Sequence, residues 1–260
     1  MTEPITSTRN ERVKAVAALQ RTRERRAAGR FLVEGPNAVA EALADDVVES
    51  VFATADRIAD YRDAGVAVVE VSDHVLERLA DSRTPQGVVA VARLEPGALD
   101  DVVGRGVLIV CDRVSDPGNV GAIIRVADAA GAVGVVVTTG SVDPWNPKAV
   151  RATTGSITHL PIVVDVGLEE VVTACRASNQ EVVALDAGGA DDVFSLERRT
   201  RPVALVFGNE AHGLDPVVLG TVDRTVAIPH LGRAESLNLA TAVAVTAYAA
   251  ARADLPAPPG

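Results

Sequence analysis

Two stretches place polar side chains directly behind runs that read as strands. Val203-Ala204-Leu205-Val206-Phe207 leads into Gly208-Asn209-Glu210-Ala211-His212-Gly213-Leu214, and Thr225 to Ile228 leads into Pro229-His230-Leu231-Gly232-Arg233-Ala234-Glu235-Ser236-Leu237-Asn238. A third run, Val107-Leu108-Ile109-Val110, opens onto a loop holding Asp112, Asp116, Gly118 and Asn119, followed by a helix to about Ala130. In an open α/β sheet the loops diverge at the carboxyl ends of strands and helix N-termini present unpaired amides, so small ligands settle there. A phosphate cradle is excluded: no G-x-x-x-x-G-K-[ST] is present, and Gly104-Arg105-Gly106 precedes its strand instead of following it. On the helix after Asn119, Val120, Ile123, Ile124, Ala127 and Gly131 share one face. Arg125 points about 140° away from Val120 at helical spacing, toward solvent or a cleft that another segment closes.

The elements that must position these groups follow an α/β alternation. Residues 1–29 read as a basic N-terminal helix, Glu11 to Ala28, ended by Gly29. Residues 30–93 read as a small α/β domain: Phe31 to Val33, Asn37 to Leu43, Val47 to Ala53, Arg57 to Asp63, Val66 to Val71, Asp73 to Ala80 and Val88 to Val91. Residues 94–105 are a linker, marked by Pro96 and Gly97, and 106–260 a second domain with a parallel sheet. There the pattern continues through Val133 to Val137, the loop Thr138-Thr139-Gly140-Ser141, a short helix near Lys148 to Ala152, and Leu160 to Val164. Helix Leu168 to Ala177, strand Val182 to Leu185 and a surface loop from Gly188 to Arg201 come next. Leu239 to Ala251 is a helix apolar on every face, which predicts burial on every face. Pro256-Ala257-Pro258-Pro259-Gly260 reads as a frayed tail.

With 260 residues and 48% hydrophobic content the chain has material for two packed cores. No apolar run reaches membrane-spanning length, and Met1-Thr2-Glu3-Pro4 lacks the layout of a signal peptide, so a cytoplasmic location is expected. Cys111 and Cys175 lie far apart in apolar stretches and read as buried free thiols; no Cys or His pair has zinc-ligand spacing, so no metal is expected. A net charge of −10 argues against a generic nucleic-acid binder. Yet residues 1–30 are net basic, with Arg9, Arg12, Lys14, Arg21, Arg23, Arg25, Arg26 and Arg30 against Glu3, Glu11 and Glu24. That end is a patch able to engage RNA.

Three segments carry a resemblance. Asp116-Pro117-Gly118-Asn119-Val120-Gly121-Ala122-Ile123-Ile124-Arg125 and the loops after Phe207 and Ile228 resemble, in order, the three motifs of the SpoU/TrmH family of SPOUT RNA methyltransferases. Phe31-Leu32-Val33-Glu34-Gly35 and Thr84-Pro85-Gln86-Gly87-Val88 are similar to that family's small substrate-binding domain, so the likeness covers nearly the whole chain. It implies a deep trefoil knot, a homodimer through the C-terminal domain, and S-adenosylmethionine as methyl donor to a ribose 2′-hydroxyl of structured RNA, ribosomal RNA ahead of tRNA. It implies Asn119, Arg125, Glu210, Ser236 and Asn238 as the catalytic set, and cofactor contacts at Phe207, Gly208, Asn209, Ile228 and Leu237, with Thr138 and Gly140 near them. The family assigns Arg125 as base. A guanidinium stays protonated, so clamping a phosphate and stabilising the developing alkoxide is the easier role.

Each residue also has a plainer reading. Asn119 and Ser236 suit helix caps, Glu210 a loop-ordering carboxylate paired with Arg125 or a backbone amide, and each glycine a tight turn. His212 and His230 are acid–base candidates by type, but the motifs require neither. Trp145, in a proline-rich loop, suits either stacking on a base or anchoring a surface. The rival functions are a non-catalytic RNA-binding module that keeps the fold, disfavoured by the intact polar set, and methylation of a base instead of ribose.

Overall fold

The basic N-terminal stretch is two helices, not one. In the computed structural model, which describes residues 3–254, α1 (Glu11–Ala18) starts at Asn10, whose side-chain oxygen accepts the Arg12 amide at 2.9 Å. After a turn at 19–21 the chain resumes as α2 (Thr22–Ala28) and stops at Gly29, whose φ of 61° is the left-handed conformation glycine tolerates best. The turn is held from inside by Arg25, which is 0% exposed. Its Nη1 donates to the carbonyls of Leu19 and Gln20, both at 2.9 Å, which the break leaves without helical partners. Nη2 donates to the Thr22 hydroxyl at 2.8 Å, and Nε and Nη2 both donate to the carboxylate of Asp143. All five guanidinium donors are used, so this member of the basic patch is a buried staple.

The chain divides into two compact units: residues up to Glu95 together with Asp143–His159, and Pro96–Val142 together with the chain from Leu160 onward. In the first, β1 (Arg30–Glu34), α3 (Pro36–Ala44), β2 (Val48–Ala53), β3 (Ala67–Glu70), α4 (Asp73–Leu79) and β4 (Val88–Arg93) follow in sequence. The sheet order is β1-β4-β2-β3, with β4 antiparallel to both neighbours and β2 parallel to β3. Val13 and Val16 of α1 pack with Leu32, Phe52, Val75, Leu79 and Val89. The expected helix at Arg57 to Asp63 is a single 3-10 turn, Ile58–Tyr61. Trp145 is 5% exposed, too buried to stack on an incoming base, and its amide donates to Asp143 Oδ1 at 3.0 Å.

The second unit runs α5 (Leu99–Val102), β5 (Val107–Cys111), α6 (Pro117–Ala129) and β6 (Gly134–Val137). It then gives the segment carrying α7 (Pro147–Thr153) to the first unit and returns as β7 (Ile162–Val164), α8 (Leu168–Ala177) and β8 (Glu181–Leu185). Next come β9 (Asp191–Asp192), β10 (Val203–Phe207), α9 (Pro216–Leu219), β11 (Arg224–Ala227) and α10 (Leu239–Ala251). The sheet order is β7-β6-β5-β10-β8-β11-β9, and every pair is parallel. β5, β6 and β10 are buried at every residue, as continuous apolar runs covered on both faces require. Burial pushes the Cys111 thiol up to about 12, with the Glu210 and Asp112 carboxylates adding to it, and the Cys175 thiol up to about 11. Neither is a nucleophile at neutral pH.

Two expectations are corrected here. The segment Gly188 to Arg201 is no bare surface loop: it contains β9 and a 3-10 turn, Val193–Arg198, whose Val193 and Leu196 are fully buried and which packs on α10. α10 is not buried all round. It packs on α6, β10 and β5, but leaves Thr241 and Tyr248 exposed and Val245 half-buried, a stripe at helical spacing. The Pro256–Gly260 tail lies outside the described residues. Among those residues, no helix is long and apolar enough to cross a membrane.

Candidate active site

Because β10, β8 and β11 are neighbours, their carboxyl ends lie side by side. Phe207, Leu185 and Ile228 at those ends, with Leu237 and Ala242 from the approach to α10 and α10 itself, give a cleft of about 310 Å³ an apolar lining. Its polar lining comes from Asn119, Asp186, Asn209, Glu210, His230, Glu235, Ser236 and Asn238.

Three of these side chains form one hydrogen-bonded chain. Glu210, in the loop after β10, accepts Asn119 Nδ2 at 3.0 Å, and Asn119 Oδ1 accepts Asn238 Nδ2 at 3.0 Å. Asn238 Oδ1 in turn accepts the amides of Ala240 at 3.0 Å and Thr241 at 3.4 Å, capping α10. Glu210 also accepts the amides of Ser115 and Asp116, both at 3.1 Å, and the Ser115 hydroxyl at 3.0 Å. Burial pushes the Glu210 carboxyl up, but these hydrogen bonds from Asn119 and the loop amides outweigh it and hold the group at about 2. Glu210 is therefore a carboxylate at neutral pH that ties the loop after β5, the start of α6 and the start of α10 together.

The caps differ from expectation. Asp116 caps α6, its Oδ1 accepting the Asn119 amide at 3.0 Å, so Asn119 sits within the first turn and its side chain is released for the relay. Asn238, not Ser236, caps α10; Ser236 stays exposed along the cleft. Glu210 orders its loop through backbone amides, one of the two pairings expected of it.

Gly208 owes its identity to its own chain. The turn from Asn209 to Gly213 closes through amide–carbonyl bonds of 3.1 and 2.8 Å, and a Cβ on Gly208 would lie 2.3 Å from the Gly213 carbonyl carbon. The close approach is loop against loop, and it sets the Gly208 backbone along the cleft.

Of the residues singled out from sequence, Asn119, Phe207, Gly208, Asn209, Glu210, Ile228, Ser236, Leu237 and Asn238 line this cleft. Arg125 does not: it is exposed on α6. Thr138 and Gly140 do not line it either, because they follow β6, and β5 stands between β6 and β10. His230 lines the cleft and is exposed; His212 borders a neighbouring one. Sequence reasoning passed over Leu185, Asp186 and Ala187. They too sit where a strand runs into a glycine pair, Gly188-Gly189, the same signal that marks the other loops.

A fully parallel α/β sheet whose adjacent strand ends hold a part-apolar, carboxylate-rimmed cleft defines a domain with a small-ligand site at its strand ends. Residues 106–248 match the model of the SpoU rRNA Methylase family, and residues 10–90 that of the MRM3-like substrate binding domain; the chain belongs to the SpoU rRNA methylase family. It is 34% identical over 248 residues to the 23S rRNA (guanosine(2553)-2′-O)-methyltransferase RlmP of Bacillus subtilis, covering 94% of this chain and 97% of that protein. It is 40% identical over 189 residues to the 23S rRNA (uridine(2479)-2′-O)-methyltransferase of Streptomyces viridochromogenes, 69% of this chain and 65% of the relative. The crystal structure of an AdoMet-bound rRNA methyltransferase from Sinorhizobium meliloti superposes with a TM-score of 0.88 at 32% identity, over 98% of this chain and 99% of that one.

Proposed function

We propose that this chain transfers a methyl group from S-adenosylmethionine to a ribose 2′-hydroxyl of ribosomal RNA. The observation that carries the reading is the relay Glu210–Asn119–Asn238, which joins the three sequence motifs at one cleft. The cleft fits the donor. Its volume of about 310 Å³ is within the range of small-molecule sites. Leu185, Phe207, Ile228 and Leu237 offer apolar surface to an adenine, and the backbone along Gly208 is open to polar contact. The carboxylates of Asp186, Glu210 and Glu235 make the surroundings negative, as a cationic sulfonium requires. When bound, that group supplies an electrophilic methyl.

The chain's own residues do the rest by alignment. Glu210 stays ionised and holds Asn119 by its amide nitrogen, which leaves the Asn119 oxygen to Asn238. Ser236, exposed on the same cleft, offers a hydroxyl that accepts or donates a hydrogen bond at the incoming ribose. As the oxygen–methyl bond forms, the sulfur–methyl bond breaks, the donor leaves as a neutral thioether and the ribose proton passes to solvent. Arg125 clamps an RNA phosphate and stabilises the developing alkoxide. It lies on α6 beyond the cleft of its own chain, so a second copy brings it to a partner's cleft in a homodimer formed through α6 and the open stripe Thr241, Val245 and Tyr248. A trefoil knot is part of the reading, supported by β10 lying between the earlier strands β5 and β8 and by α10 returning onto α6. The cytoplasm, where its proposed substrate is assembled, is the proposed location. Incubation with labelled S-adenosylmethionine and unmodified ribosomal RNA should yield alkali-resistant linkages at one ribose. Label confined to a base, or none incorporated by a protein that binds the donor, would refute the reading.

A further inference from the structure

Thr138 and Gly140, which stand apart from the cleft, converge on Arg113. Arg113 follows β5 with φ 53°, a left-handed backbone that a non-glycine residue keeps only where its surroundings over-determine it, and which recurs at functional positions. Here they do. Its amide donates to Thr138 Oγ1 at 3.2 Å, its carbonyl accepts Asn209 Nδ2 at 2.9 Å, and its Nε donates to Asp112 Oδ2 at 3.0 Å. Asp112 is itself buried and its other oxygen accepts the Thr138 hydroxyl at 2.9 Å. Gly140 packs beside Arg113: an added Cβ would reach ordinary contact, 3.4 Å, with Arg113 Cγ, and it is the φ of 92° that calls for glycine there.

One edge of the guanidinium is thus fixed and the other is open. The side chain is 49% exposed, and among the described residues its two terminal nitrogens make no hydrogen bond. It borders a second cleft, of about 320 Å³, that shares Asn209 and Gly213 with the first. Asp215, on the same cleft, has one carboxylate oxygen engaged by the Val217 amide at 2.9 Å. The first cleft, rimmed by Asp186, Glu210 and Glu235, suits a cation but repels phosphates. An RNA strand approaching it needs a fixed cation beside it, and two parallel N–H groups match a phosphate's oxygens. We infer that Arg113 binds a backbone phosphate of the RNA beside the methylated ribose, with Asp112 and Thr138 as positioning residues. The inference rests on the reading above.

The test uses the full chain with S-adenosylmethionine and an unmodified 23S rRNA transcript. Arg113→Gln is expected to raise the KM for the transcript roughly tenfold, as loss of one charge-assisted contact does, while kcat at saturating transcript moves far less. Calorimetry should give an unaltered donor affinity, and transcript binding should become less steeply salt-dependent. Arg113→Lys restores part of the KM, and Thr138→Val shifts it in the same direction as Arg113→Gln. A transcript KM and salt dependence equal to the parent's in Arg113→Gln overturns the inference, as does a joint fall in melting temperature and donor affinity, which marks a scaffold role. A parent chain that binds the donor yet methylates no ribose overturns the underlying reading instead; a methylating parent with an indifferent Arg113→Gln overturns Arg113 alone.

Discussion

Glu210 illustrates how a site residue's environment defines its job. Four hydrogen bonds converge on its carboxylate, and each is made to the charged form. Its folded value of about 2 lies below the ordinary 4.5, so its contribution to stability is complete above pH 4.5 and is lost as pH falls through about 2. The melting temperature of the parent should therefore drop more steeply than that of Glu210→Gln between pH 4.5 and 2. Parallel slopes would show that the carboxylate is not engaged in solution. At pH 7 the same variant should lose most methyl transfer, because an amide cannot accept from Asn119 and two backbone amides with both of its ends. Turnover by Glu210→Gln close to the parent's would separate the relay from the chemistry.

Among the elements, α2 is tied to the rest of its unit by a single buried side chain, Arg25. A basic helix of eighteen residues would have left Arg25 in solvent; the break at 19–21 turns it inward, where it satisfies the carbonyls the break exposes and meets Asp143. Removing one partner of a buried ion pair strands the other, a loss of about 3–5 kcal/mol. Arg25→Met should therefore destabilise the chain by about that much in urea unfolding, whereas Arg23→Met, at an exposed position two residues earlier, should change stability by less than about 0.5 kcal/mol. Equal, small effects at both positions would contradict the staple.

For the whole molecule, the open stripe on α10 carries the assembly prediction. Tyr248 is 52% exposed although it stands in an otherwise alanine- and valine-rich helix, its hydroxyl donating to the Ala129 carbonyl at 3.1 Å. Sedimentation equilibrium should give twice the 26.9 kDa of one chain. Thr241→Arg, which sets a charge in the stripe, should shift the molecule toward monomer and reduce methyl transfer in parallel. A fully active monomer would remove the second copy from the proposed site.

Much of this was legible locally. Continuous apolar runs announce parallel strands because burial on both faces leaves no polar side; turns with glycine announce strand ends because few other residues close them so tightly. The motif residues Asn119, Glu210 and Asn238 stood out through their resemblance to the family's motifs, and even Leu185-Asp186-Ala187 carried the strand-then-glycine mark. Which strands are neighbours was not legible. β10 comes late in the chain yet lies between β5 and β8, and that order brings Leu185 to the cleft while β5 keeps Thr138 and Gly140 on its other side. Arg25 meets Asp143 and Asn119 meets Asn238 across more than a hundred residues. Periodicity reports which face of an element seeks burial; only the packed sheet selects, from many apolar partners of equal appetite, the ones that cover it.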